Sequence, residues 1–232
     1  MLLRMAKNLQ CDIFPDRVRL WKGATLLRDL PLQQEERLEE ALNRLLAARP
    51  AGMRWQDNVT FRLGNHLVNT FVVPWQEGIS SLEEMRCYAQ SLIPNTFPEL
   101  ASQAMRVEFE TLEQGQTALA AAIEQRIWQL LGDVARQRHL RFRGAITPFQ
   151  FLLQRYPEPL PVEGIFIVAD DESTSFACRS GHRWQHVHKL ALNDFSLVEQ
   201  LGLVRRLSGL RHAPSFCLDN EHWDIRQVSL AG

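Results

Sequence analysis

Two neighbouring stretches carry the residue types from which an ion site or a reaction centre could be built. In "VADDESTSF" an apolar run leads into Asp170, Asp171 and Glu172, followed by Ser173 and Thr174. Adjacent carboxylates at the end of a buried strand can hold magnesium, which prefers carboxylate and water oxygens. Asp and Ser are also the residues of an ordinary polar turn between strands, and that is the expectation here. In "GHRWQHVHKL" the residues His182, His186 and His188 fall on one face of a strand, because alternate residues point the same way. His186 and His188 could then ligate one ion, but a stable site needs further well-placed ligands. A solvent-facing strand beside Trp184 accounts for the pattern, and no metal site is expected. The basic stretch "RHLRFR", residues 138–143, reads as a solvated helix end followed by an alternating strand, with a phosphate or partner patch as the alternative.

Other chemistry finds little footing. The chain has no G-x-x-x-x-G-K-[ST], G-x-G-x-x-G, H-E-x-x-H or G-x-S-x-G motif. Cys11, Cys87, Cys178 and Cys217 are far apart and form no C-x-x-C pair, as expected of reduced thiols in a cytosol. A formal net charge of -1 over 232 residues argues against broad nucleic-acid binding. No apolar run approaches the roughly 20 residues of a membrane helix. The expectation is a cytoplasmic protein with no catalytic residue and no cofactor.

The elements that must position these residues follow from periodicity. "CDIF", "RVRLW" and "ATLLRDLPL" read as three short strands broken at Pro15-Asp16 and Lys22-Gly23. Leu38, Leu42, Leu45 and Leu46 have helical spacing, with Pro50 as the stop, and "NVTFRL" is a strand again. The C-terminal third repeats this order: "GIFIVA", "STSFACR" and "RWQHVHKLAL" are strands, then comes a helix with Asp194 as cap and Gly209 at its end, then the strand "SFCL". Between the copies lie the strand "LVNTFVV" closed by Pro74, a helix opened by the capping box of Ser81 and Glu84 and stopped by Pro94, the alternating strand "MRVEFETL", and "QTALAAAI", which fits a strand or a helix start. A helix with Ile127, Leu130, Leu131 and Val134 on one side follows. The expected boundaries are 1–66 for a first βββαβ unit, 67–160 for an inserted αβ part with connecting helices, and 161–232 for a second βββαβ unit.

A βββαβ unit used twice, with an insertion after the first, resembles the actin-like ATPase superfamily, a ribonuclease H-like two-lobed α/β fold. More narrowly, "NHLVNTFVVPW", "SSLEEMRCYAQSLIPNTFP", "TALAAAIEQRIWQLLGDVARQRHLRFRGAITPF" and "GIFIVADDESTSFACRSGHRWQHV" resemble the actin-like cytoplasmic assembly proteins of type IV pili (PilM) and type II secretion (the cytoplasmic part of GspL). Active superfamily members wrap ATP phosphates with Gly-rich turns, where backbone N–H groups must approach closely. The corresponding turns here read "IFPDRVRL" and "VADDESTSF", with no glycine, and with three acids in the second. The resemblance therefore implies a degenerate nucleotide site and a non-catalytic scaffold of a pilus or secretion platform. Such a scaffold sits at the inner-membrane face by binding a partner protein's cytoplasmic segment, through a strand edge or a cleft. Pro74 and Trp75, where a buried strand leaves its sheet, are the candidate contact. The rival is a nucleotide- or metal-dependent phosphotransferase built on Asp170, Asp171, His186 and His188. A third reading, a nucleic-acid module, would rest on the arginines at 136–143.

Overall fold

The computed structural model describes residues 8–32, 37–47, 57–156, 159–170, 172–192, 194–219 and 223–228. Pro50 and Asp171 lie outside them. The chain divides into two compact units, Met1–Gly64 with Gln125–Thr147, and Asn65–Glu124 with Pro148–Gly232.

In the first unit, β1 (Asn8–Ile13), β2 (Arg17–Lys22) and β3 (Thr25–Pro31) form an antiparallel meander. Helix α1 (Leu38–Ala47) carries the chain to β4 (Asn58–Leu63), which pairs parallel with β1. Further along, α3 (Gln125–Gln137) leads to β8 (Arg141–Ile146), which pairs parallel with β4. The sheet order is β3-β2-β1-β4-β8. Helix α1 buries Ala41, Leu42, Leu45 and Leu46, the apolar stripe that its leucine spacing demands. Helix α3 buries Leu131, Val134 and Ala135, while Ile127 and Leu130 are half-buried. Leu131 is fully enclosed. Leu131→Ala should therefore lower stability by about 2–5 kcal/mol in chemical denaturation, and a loss below about 1 kcal/mol would place it at the surface.

The second unit repeats the arrangement. Strands β9 (Gly164–Ala169), β10 (Thr174–Ser180) and β11 (Arg183–Leu190) form the meander. Helix α5 (Leu197–Ser208) returns the chain to β12 (Ser215–Asp219), parallel to β9, and β13 (Asp224–Val228) closes the edge. The order β11-β10-β9-β12-β13 matches the first sheet strand for strand through its fourth member. The βββαβ unit is thus duplicated. This unit also contains the small sheet β5-β7-β6, from β5 (Asn69–Val73), β6 (Met105–Thr111) and β7 (Ala118–Glu124), covered by α2 (Leu82–Thr96). Helix α4 (Pro148–Arg155) packs on β9.

Of its two readings, "QTALAAAI" takes the strand: it is the central strand β7, buried along nearly its whole length. Two local expectations change, and one strand is new. Pro94 lies inside α2 and does not stop it; it sits in the last turn, and the Phe97 N–H closes the helix on the Ile93 carbonyl. The cap of α5 is Ser196, not Asp194, because Ser196 accepts from the Glu199 amide while the Glu199 carboxylate returns to Ser196. Strand β13 had no sequence signal strong enough to announce it.

Candidate functional site

In the second unit, the turn between β9 and β10 is tied to its own side chains. The Asp170 amide donates to the Ser173 carbonyl. Asp170 Oδ1 accepts from the amides of Glu172 at 3.0 Å and Ser173 at 2.7 Å, and from the Ser173 hydroxyl. This is the local carboxylate-to-backbone turn that Asp forms readily. Asn65, on a short 3-10 turn after β4, then stitches the loop to β10. Its Nδ2 donates to Ser173 Oγ at 3.2 Å, and its Oδ1 accepts from Ser175 Oγ at 3.0 Å. Lys189 Nζ, from β11, donates to the Asn65 carbonyl. Asn65 and Ser175 are buried. Asp170 Oδ2 and His66 Nδ1 are buried with no hydrogen-bond partner among the described residues.

Burial lowers the His66 imidazole below its ordinary 6.5, with Asp170 opposing and Lys189 assisting. Burial, with His186 beside it, also lowers His188. Burial likewise lowers the Lys189 ammonium, against Asp170 and Glu172. A base whose folded value lies below its unfolded one binds fewer protons in the native state, so stability is lost as pH falls through that interval. Unfolding midpoints should accordingly fall as the pH drops below 6.5, and His66→Gln should flatten that fall. A slope unchanged in the variant would remove His66 as the source.

The turn between β1 and β2, in the first unit, has a different construction. The Phe14 amide donates to the Arg17 carbonyl, and Arg17 forms an exposed ion pair with Asp16 at 2.7 Å. Just before it, Asp12 is fully buried. Its Oδ1 accepts from Arg62 Nε at 2.6 Å, and its Oδ2 from Arg62 Nη2 at 2.6 Å and Trp21 Nε1 at 2.7 Å. Both carboxylate oxygens are occupied by protein donors.

The histidines are not a single row. His182 sits in the two-residue turn between β10 and β11, where Gly181 and His182 both have positive φ, 58° and 66°, the pattern of a type I′ hairpin. The register then shifts: Arg179 pairs with Trp184, but Cys178 pairs with His186, leaving Gln185 as the extra residue. The bulge reverses the alternation. Trp184 turns inward against Phe166, while His186 and His188 share the other face with ring centroids 5.9 Å apart. No group of three His, Cys, Asp or Glu residues stands at metal-binding spacing among the described residues.

Pro74 is exposed, and Trp75 is half-buried, resting on the core of the three-stranded sheet with Phe71, Val73 and Met85. The strand they follow, β5, is a sheet edge, as is β11. A groove of about 320 Å3 runs between these two edges, lined by Asn69, Thr70, Phe97, His186, Val187 and His188 among others. The sequence offered no sign of it, because its β5 and β11 walls lie more than 100 residues apart. Of the arginines at 136–143, Arg136 forms an ion pair with Asp133, Arg138 donates to Asn43 and Arg143 to Asn58.

No protein-family model matches the chain. No curated protein matches it either. Solved structures do. A type IV pilus biogenesis complex of PilM and PilN aligns with 93% of this chain and 82% of its own, at 16% identity and a TM-score of 0.60. A Bacteroides thetaiotaomicron protein of actin-like ATPase fold and unknown function aligns with 88% of this chain and 77% of its own, at 9% identity and a TM-score of 0.56. The cytoplasmic domain of EpsL, an inner-membrane component of the Vibrio cholerae type II secretion system, covers 92% and 82%, at 12% identity and a TM-score of 0.49. The duplicated βββαβ sheets, with the likeness to the pilus complex and to the Bacteroides thetaiotaomicron protein, establish that the chain has the actin-like ATPase fold.

Proposed function

We propose that this protein is a non-catalytic scaffold of a bacterial type IV pilus or type II secretion platform, acting at the cytoplasmic face of the inner membrane through a partner protein's cytoplasmic segment. One observation carries the reading. The turn that a nucleotide-binding relative would keep open for phosphate is closed by Asp170, Ser173 and Asn65, with no glycine to admit close approach. A carboxylate held there opposes a triphosphate. A closed turn in an actin-like fold supports recognition as its use, and the similar PilM is itself seen in complex with PilN. The groove between the β5 and β11 edges offers backbone groups and mixed side chains to an extended segment. Its β5 wall leads directly into Pro74 and Trp75, which form the contact at its end. No helix among the described residues is long and apolar enough to cross a membrane.

Two measurements test the proposal. Calorimetry with millimolar ATP and magnesium should register no binding, and micromolar affinity would overturn the non-nucleotide reading. A pull-down from the native host should recover inner-membrane platform proteins with wild type and fewer with Trp75→Ala, once circular dichroism has confirmed both are folded. Equal recovery would exclude Trp75 as an anchor, and no such partner with wild type would count against the scaffold.

A further inference from the structure

The histidine pair on the β11 wall of the groove has no acidic partner in its own chain. His186 is exposed and His188 half-buried, and their rings lie 5.9 Å apart between centroids. His188 Nε2 is covered and bonds to no described residue. Among charged groups only His186 acts on His188, so no carboxylate of the described chain stands close to it. The other walls supply none. β5 brings Asn69, Thr70 and Val72, the end of α2 brings Thr96, β10 brings Ser175, and no Asp or Glu among the described residues lines the groove. Lys189 is the one further ionisable residue of the lining. Its Nζ turns to the Asn65 carbonyl, where Asp170 and Glu172 act on it. Helix α5 also packs against β11, and its Glu199 is committed to the cap at Ser196. Imidazole takes up a proton near neutral pH and then donates from both nitrogens. Two such rings, with hydroxyl and amide groups around them and no acid, are complementary to an anion.

We infer that the groove selects a partner segment that is extended and carries a side-chain carboxylate, an aspartate or glutamate that His186 and His188 receive together. The inference rests on the groove being the partner's seat, as proposed above, and adds what the groove reads. A volume of about 320 Å3 lies at the small end of ligand sites, so it holds a residue or two of a chain. The strand edges of β5 and β11 on either side suit a chain in extended form. A hydrogen bond from a charged imidazole to a carboxylate is stronger than one between neutral groups. With no acid of its own in the lining, the groove has none for the ligand to displace. Binding is then linked to proton uptake. A bound carboxylate favours the imidazolium, so the complex holds a proton at pH values where the free protein has released it. Affinity therefore rises as pH falls through that interval. The ligand's own carboxyl stays ionised there, since a glutamate ordinarily titrates near about 4.3.

The test is a proton NMR titration of the histidine ring signals of the full chain, assigned with His186→Gln and His188→Gln after circular dichroism confirms that both are folded. The probes are two capped peptides, acetyl-Thr-Val-Glu-Val-Thr-amide and the same peptide with Gln in place of Glu, and acetate as a free carboxylate. The Glu peptide should shift the His186 and His188 signals and raise their protonation midpoints. The Gln peptide and acetate should each bind at least tenfold more weakly. Affinity for the Glu peptide should rise at least threefold from pH 7.5 to pH 6.0, and the variant lacking both histidines should lose that rise together with the preference for Glu over Gln. Undisturbed histidine signals at millimolar Glu peptide, equal binding of the Glu and Gln peptides, equal action of acetate, or a pH dependence that survives in the double variant would overturn the inference. Recovery of platform proteins by pull-down alongside any of these results would leave the scaffold reading standing and remove the carboxylate preference alone.

Discussion

Arg62→Ala should destabilise the first unit by about 3–5 kcal/mol at pH 7, because it strands a buried carboxylate. Asp12 has no exposed surface, and Arg62 is 7% exposed. The guanidinium grips both oxygens side-on, the fork geometry that suits a carboxylate. The two residues are also register partners on the parallel strands β1 and β4, so the pair fixes the alignment of the sheet's centre. Burial holds the Asp12 carboxyl above its ordinary 3.8, and the arginine works against that rise. Without Arg62 the carboxyl moves further up, and protonation then relieves part of the penalty. The deficit of Arg62→Ala should accordingly be larger at pH 7 than at pH 5. Replacing both partners by apolar residues of similar volume should recover most of the loss, since it removes the charge together with its counter-charge. A single-variant loss below about 1 kcal/mol, or no recovery in the double variant, would mean that the pair is not sealed from water.

The duplicated order was legible because each element carries its own period. β9 is a continuous apolar run, as expected of a strand buried on both faces, α1 shows helical spacing, and α5 adds its own cap. What could not be read is pairing over distance. β8 reads as an isolated alternating strand, and only the fold shows it beside β4, with Asn58 facing Arg141. β13 follows Trp223, a residue at φ 52° that breaks the chain direction without a glycine to advertise the turn. Its sequence, "DIRQV", lacks a clear apolar face.

The site was legible to a similar depth. The absence of glycine from both turns is a fact of sequence, and the Asx-type closure at Asp170 follows from residue types. The Asn65 bridge, 108 and 110 residues away from Ser173 and Ser175, does not. The three histidines failed as a row for a local reason: one bulged residue, Gln185, reverses every side chain on one side of it. Trp75 reads as an exit residue because it follows Pro74, but its packing back onto the core of the small sheet comes from the fold.

Phe166→Ala should be as damaging to the second unit as loss of Arg62 is to the first. Phe166 is fully enclosed at the middle of β9, the central strand of its sheet. Its neighbours Ile165 and Ile167 face the α5 side, packing with Leu201 and Val204. Phe166 points the other way, into a ring cluster with Tyr156 at 5.6 Å, Trp184 at 5.4 Å and Phe216 at 5.5 Å between centroids. Gly164 is part of the same fit, since a Cβ there would come within 3.3 Å of the Phe166 ring and 3.1 Å of Pro161. Four elements therefore meet on one side chain, and strands on both flanks limit how far they can collapse into the void. The expected cost is about 3–5 kcal/mol, the range for a core phenylalanine cut to alanine. Trp184 supplies a direct readout, because its indole also donates to Thr111 Oγ1 at 2.7 Å. Its near-ultraviolet circular dichroism should change in Phe166→Ala even where the protein remains folded. A loss below about 1.5 kcal/mol with an unchanged Trp184 signal would mean that the cluster closes over the gap, and that β9 owes its position to the α5 face alone.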